Sequence, residues 1–206
     1  MSIVTRGGDR GSTSLFSGER VPKSDLRIRT GGALDLLNCQ LGLVVSSPFP
    51  ECGTTVESKS LVPILDIMVT HIMNQVQPAL FDLGAVISTT PGSAPSFKIP
   101  ELAPEAVATL EDLIFKAEAG VPKMRQFIMP RGNLMTAQAH VARGVCRQCE
   151  SYMVELLQSQ PGFGDVLNRP VQYINRLSDF CFILARVASN IEEWDSESKW
   201  FPRKRE

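Results

Sequence analysis

RPVQYINRLSDFCFILARVASNIEE, residues 169–193, carries the clearest period in the chain. Val171, Ile174, Leu177, Cys181, Leu184, Ala188 and Ile191 step by three and four throughout, which predicts a helix with that face buried. Asn175, Asp179 and Phe182 share a second face. Polar groups in mid-helix need partners when buried, so Asn175 marks either an interhelical hydrogen bond or a ligand contact.

The same period recurs upstream. LMTAQAHVARGVCRQCESYMVELLQ, residues 134–158, reads as a helix with Asn133 as N-cap and Leu134, Val141, Val145, Tyr152 and Leu156 on one face; Pro161, Gly162 and Gly164 end it. A helix over about Pro104 to Ala119 has Val107, Leu110, Ile114 and Ala117 as its buried stripe and Gly120 just past its end. Another runs from about Leu61 to about Val86 with Leu61, Ile64, Leu65, Met68 and Ile72 on one face and a kink at Pro78, whose missing N–H breaks one turn. The first runs from Ala33 to Val45 and stops before Ser46-Ser47-Pro48. Residues 1–30 read as irregular, and 88–104, rich in Pro, Gly, Ser and Thr, as a surface loop. No strand pattern competes. The expectation is an all-α fold, a five-helix antiparallel bundle over 31–195, preceded by an irregular N-terminal segment and followed by a tail, 196–206, in a single domain of 1–206.

With 206 residues, 43% hydrophobic, 21% charged and a net charge of −1, the chain can build a real core and has no global attraction for nucleic acid or anionic membranes. The one basic run, Pro202-Arg203-Lys204-Arg205, is too short to change that. No apolar run reaches membrane-spanning length, and MSIVTRGGDRGS lacks a secretory core. The chain reads as cytoplasmic, with the mitochondrial matrix the expectation if a presequence was removed. An odd number of cysteines, five, points to reduced and mostly buried thiols. Cys146 and Cys149 form a CxxC inside a helical pattern with no second ligand pair, so helix packing is the expectation over zinc, and no metal ligands are assigned.

Four places carry candidate chemistry. Arg6-Gly7-Gly8-Asp9-Arg10-Gly11-Ser12-Thr13-Ser14 can turn tightly and aim N–H groups at an anion, with Arg20 and Lys23 nearby, although it is neither a Walker loop nor a dinucleotide fingerprint. A disordered N-terminus is the alternative. Arg143, Arg147 and Glu150 share one helix face, as an anion site or as a salt-bridged surface. Asn175 is the third. Asp35, among leucines, is either paired with a cation such as Arg143 or simply exposed at a helix edge. The two histidines, His71 and His140, have no nucleophile or metal partner in sequence, and no hydrolase triad or HExxH is present. Any chemistry would rest on positioning and charge stabilisation.

Taken in order, TRGGDRGSTSLFSGERVPKSD, GGALDLLNCQLGL, FIMPRG, AHVARGVCRQCE and YINRLSDFCFILAR resemble the successive motifs of the ATP:cob(I)alamin adenosyltransferases of the five-helix, trimeric, propanediol-utilisation type. The resemblance spans nearly the whole chain. It implies attack of the cobalt of cob(I)alamin on the 5′ carbon of ATP, expelling triphosphate, with Mg²⁺. It also implies that Thr5, Arg6, Gly7, Gly8, Thr13, Ser14 and Lys23 embrace ATP. Arg147, Glu150 and Asn175 would contact ATP from the helices of an adjacent subunit, and Arg143 would pair with Asp35 across the interface of a homotrimer. Phe127 would press on the lower face of the corrin and displace its axial base; a buried anchor before Pro130 is its other reading. A cobalamin reductase or a cobalamin-dependent client enzyme would be the protein partner.

The departures are specific. The family usually has Thr where Gly7 stands and Asp-Glu-Leu where this chain has Asp35-Leu36-Leu37. Its CRRAER run is here Cys146-Arg147-Gln148-Cys149-Glu150-Ser151, so two cations are gone. Each lost charge-assisted contact costs on the order of 1.5–3 kcal/mol, and Arg10 or Arg20 is the candidate replacement. The alternative function is a catalytically weakened corrinoid-binding or cobalamin-delivery protein of the same fold.

Overall fold

The computed structural model describes residues 4, 6–93 and 101–193. Thr5, much of the 88–104 loop and the 196–206 tail lie outside the described residues. Five helical rods make up most of the described residues. The first is α1 (Leu26–Ser46). The second is α2 (Val56–His71), continued through a π turn, Ile72–Val76, into α3 (Gln77–Ile87). The others are α4 (Ala106–Gly120), α5 (Leu134–Ser159) and α6 (Gly164–Ile191).

Consecutive rods run antiparallel. Asn133 and Thr136 on α5 meet Ala188 and Ala185 on α6, while Glu150 meets Asn175 further along. Asn38 meets Gln77 between α1 and α3, and Gln40 meets Gln138 between α1 and α5. The alternation has a consequence for non-consecutive helices. The pairs Glu111–Arg176 and Pro122–Arg186 advance together, so α4 and α6 are parallel neighbours.

The expected helix starts need correction. α1 begins at Leu26 rather than Ala33, because Asp25 accepts from the Arg27 backbone N–H at 2.8 Å and acts as N-cap. Gly31 and Gly32 weaken the pattern there but do not stop the helix. α2 begins at Val56, capped by Thr55. Pro170 lies inside α6, which begins at Gly164, five residues before the expected start at Arg169. At Pro78 the missing donor is absorbed as the π turn, in which the Gln77 N–H reaches back to the Ile72 carbonyl.

The N-terminal segment also contains a short antiparallel ribbon that the sequence pattern did not announce: β1 (Ser12–Ser14) and β2 (Arg20–Pro22), with Ser14 opposite Arg20 and Thr13 opposite Val21. Three residues per strand are too few for a visible alternation.

One apolar cluster runs through all five rods. α6 sits at its centre, and every residue from Ile183 to Ser189 is buried. On α5 the buried line is Met135, Ala139, Ala142, Cys146, Cys149, Met153 and Leu156. Leu134 and Val141, expected on the buried face, are instead 55% and 51% exposed. Burial pushes the Cys146 thiol up and the Cys149 thiol up to about 12, so both behave as core side chains.

Candidate functional site

The N-terminal ribbon is tied down at its base. Arg27, on the first turn of α1, donates to both carboxylate oxygens of Asp25 at 3.1 Å and to Glu19 at 3.3 Å. Thr90 donates to the same Glu19 oxygen at 2.6 Å. The Ser88 carbonyl accepts from the Phe16 and Ser17 N–H groups. The first residues of the 88–104 segment therefore clasp the ribbon. Hydrogen bonds from Thr90 and Arg27 hold the Glu19 carboxyl below the usual range, and the Arg27 guanidinium does the same for Asp25.

Above this clasp the glycine loop turns back on itself. Asp9 N–H donates to the Arg6 carbonyl and Gly11 N–H to that of Gly8; Gly11 adopts φ +80°, open to glycine at no steric cost. A Cβ at Gly8 would stand 3.0 Å from Cε and Nζ of Lys23, so a side chain there would displace the flexible end of that lysine by a few tenths of an ångström. Thr13 and Ser14 lie on β1, and Arg6 and Gly7 are exposed at the loop's rim.

The helical candidates gather on α5 and α6. Glu150 accepts from Asn175 Nδ2 at 2.9 Å, and Asn175 Oδ1 accepts from Arg176 at 2.5 Å. Arg176 in turn donates to Glu111 on α4 at 2.7 Å. The amide of Asn175 is thus oriented at both ends. Arg176 and Glu111 are supports that pattern reading missed; their spacing across two helices has no local signature. Arg147 is exposed one turn before Ser151, and Gln148 donates to the Tyr152 hydroxyl at 3.3 Å. The Arg29 guanidinium lies 4.8 Å from the centre of the Tyr152 ring.

Arg143, one turn before Arg147, is half-buried, and its Nε is buried with no hydrogen-bond partner among the described residues; His140 Nδ1 shares that state. Asp35 does not meet Arg143 within the chain. It is exposed on α1 and lines a cleft of about 620 Å³ with Ser14, Phe16, Asn38 and Phe81. Nor does any hydrogen bond or ion pair among the described residues join the glycine loop to Arg143, Arg147, Glu150 or Asn175.

Phe127 is 75% exposed in the connection between α4 and α5, which removes the buried-anchor reading. Three residues before it, Met124 lines a cleft of about 530 Å³ with Phe115, Pro122 and Phe182, edged by the charged Glu118, Lys123 and Arg186. The His140 ring is 6.1 Å from that of Phe182, so this cleft adjoins the turn that carries Arg143. Two faces are available: an apolar one near Phe127, and a polar one further along α5 at Arg147, Glu150 and Asn175.

A family model described as cobalamin adenosyltransferase matches residues 3–188. A cobalamin adenosyltransferase of Cupriavidus metallidurans is 40% identical over 187 residues, 90% of this chain and 86% of that one. A corrinoid adenosyltransferase of Mycobacterium bovis is 32% identical over 200 residues, 97% of this chain and 93% of its own length. Among solved structures, a variant of the PduO-type ATP:corrinoid adenosyltransferase of Lactobacillus reuteri, complexed with cobalamin and ATP, superposes with a TM-score of 0.78 at 25% identity, covering 98% of this chain and 97% of that chain. With the family model spanning the helical rods and the N-terminal ribbon together, the chain belongs to the cobalamin adenosyltransferase family.

Proposed function

We propose that this protein catalyses the ATP-dependent adenosylation of a corrinoid, moving the 5′-deoxyadenosyl group of ATP onto cob(I)alamin to give adenosylcobalamin and triphosphate. The observation that carries this is the match along almost the full chain to a solved relative complexed with both cobalamin and ATP. The substrate cobalt supplies the electron pair that forms the bond to C5′. The C5′–O bond breaks, and triphosphate leaves with its electrons. No protein nucleophile is needed, so the chain's work is positioning and charge stabilisation.

In this reading Thr5, Arg6, Gly7, Gly8, Thr13, Ser14 and Lys23 hold the nucleotide, with Lys23 closing over Gly8. Arg147, Glu150 and Asn175 of an adjacent copy complete the pocket. The orphaned Nε of Arg143 supports a missing acceptor there, and the exposed carboxylate of Asp35 on a neighbouring copy suits it. Phe127 and the cleft of Phe115, Met124 and Phe182 offer apolar surface for the corrin face. The described residues hold no cluster of three or more His, Cys, Asp or Glu side chains suited to a metal. Mg²⁺ is expected with the nucleotide, where it would neutralise phosphate charge.

A homotrimer with shared sites, a single domain over 1–206, a cytoplasmic location and a partnering cobalamin reductase or client enzyme belong to the same proposal. No helix among the described residues is long and apolar enough to cross a membrane. The test is spectroscopic. The protein is mixed with ATP, Mg²⁺ and chemically reduced cob(I)alamin, and the absorption spectrum is followed. Conversion to adenosylcobalamin is expected. Bound corrinoid with no conversion overturns catalysis and leaves the delivery reading.

A further inference from the structure

On the ribbon, side chains alternate between faces. Ser14 is paired with Arg20 across the strands, and Ser12 lies two residues away, so these three share one face; Thr13 and the buried Val21 share the other. The Arg20 guanidinium uses that arrangement. It donates to the Ser12 hydroxyl at 2.5 Å, to the Ser14 hydroxyl at 3.4 Å and to the Gly7 carbonyl at 2.9 Å. Each serine oxygen is an acceptor in this pair, which leaves its own O–H to donate elsewhere. The charges are also sorted. Arg27 takes Glu19 and Asp25, while no carboxylate among the described residues, that of Asp9 in the loop included, lies within ion-pair distance of Arg20 or Lys23. A cation wired to two hydroxyls and a loop carbonyl, with no counter-ion of its own, is arranged to meet an anion.

We propose that Arg20 is a positioning residue for the nucleotide phosphates: it holds the Ser12 and Ser14 hydroxyls with their protons directed at phosphate oxygens and ties the glycine loop to the ribbon through Gly7. This rests on the nucleotide reading of the loop and adds Ser12 and Arg20 to it. The guanidinium fork matters because its donors sit on separate nitrogens in one plane and so reach acceptors on the loop and on the strand, whereas an ammonium offers its three donors from a single nitrogen.

ATP affinity is measured by titration calorimetry on the full chain, and KM for ATP and kcat are measured at saturating cob(I)alamin. Arg20→Gln is expected to weaken ATP by about tenfold. Its kcat and its cobalamin affinity should stay within about twofold of wild type. Arg20→Lys recovers part of the loss. Ser12→Ala weakens ATP in the wild-type background and adds little on top of Arg20→Gln, the coupling expected of one hydrogen-bonded unit. Unchanged ATP affinity in Arg20→Gln, a loss in kcat with KM intact, or an equal Ser12→Ala penalty in both backgrounds overturns the proposal. Melting curves accompany each variant, and if Arg20→Gln does not fold, Arg20→Lys against Ser12→Ala gives the same coupling. A wild-type protein that binds ATP but forms no adenosylcobalamin overturns the catalytic reading alone.

Discussion

Two neighbouring side chains on α5, His140 and Arg143, set a pH dependence of the fold. His140 is buried against Phe182, and burial, followed by the charge of Arg143, pushes its imidazole down to about 4. The folded protein therefore refuses a proton that the unfolded chain accepts from about 6.5 downward. The unfolded state binds more protons in that window, so stability is lost progressively as pH falls from about 6.5 to about 4 and levels off below it. His71, also lowered by burial, acts in the same direction. Urea midpoints measured across this range should decline toward acid in the wild type and decline less steeply in His140→Gln. A parallel decline in both would show that the imidazole contributes nothing. At still lower pH the depressed carboxyls of Glu19 and Asp25 take over the loss, with the same sign.

At the level of elements, the ends of α5 and α6 hold each other. Asn133 Oδ1 accepts from the Thr136 N–H at 2.8 Å as an N-cap, while its Nδ2 donates to the Ala188 carbonyl at 3.0 Å. One residue satisfies an orphan donor of α5 and fastens it to the central helix. Asn133→Ala should cost about 1–2 kcal/mol, read from denaturant unfolding. Asn133→Asp keeps the cap and loses the bond to Ala188, so it should fall between the two. Asn133 was legible as a cap because capping is local. Asp25 and Thr55 are caps of the same type, but glycines or a loosely apolar first turn follow them, and the apolar period starts several residues late. That is why α1 and α2 are longer than their periodic cores.

Over the whole molecule, part of the exposed apolar surface gathers along one seam. Gln40 on α1 faces Gln138 on α5, and Leu36 and Leu43 lie four and three residues from Gln40. Leu134 and Val141 bear the same relation to Gln138. All four are 51–55% exposed, so they flank the α1–α5 seam on its outer side. Asp35 and the unpartnered Nε of Arg143 are on these same two helices. Such a face suits a second copy of the chain better than water. Leu43→Asp is expected to convert the proposed trimer to monomer by light scattering with helicity retained, and adenosylation should fall in step with the monomer fraction. A wild type that is already monomeric and active would refute shared sites.

From the chain alone, the period of three and four in 134–158 and 169–193 determined that the fold is a helical bundle, because burying one face of a helix leaves its mark on every turn. The order of the motifs around Gly8, Asp35, Phe127, Arg147 and Asn175 determined the family. What those residues do to one another was decided only by the packing. The expected stripe through Leu134 and Val141 turned outward because α5 uses its small and sulfur-bearing side chains against α6. Arg20 shares a ribbon face with Ser12 rather than Thr13 because it pairs with Ser14 across the strands, a register that three-residue strands are too short to announce as a period. Arg176 orients Asn175 from a charge on α4, a partner 65 residues away that no local pattern encodes.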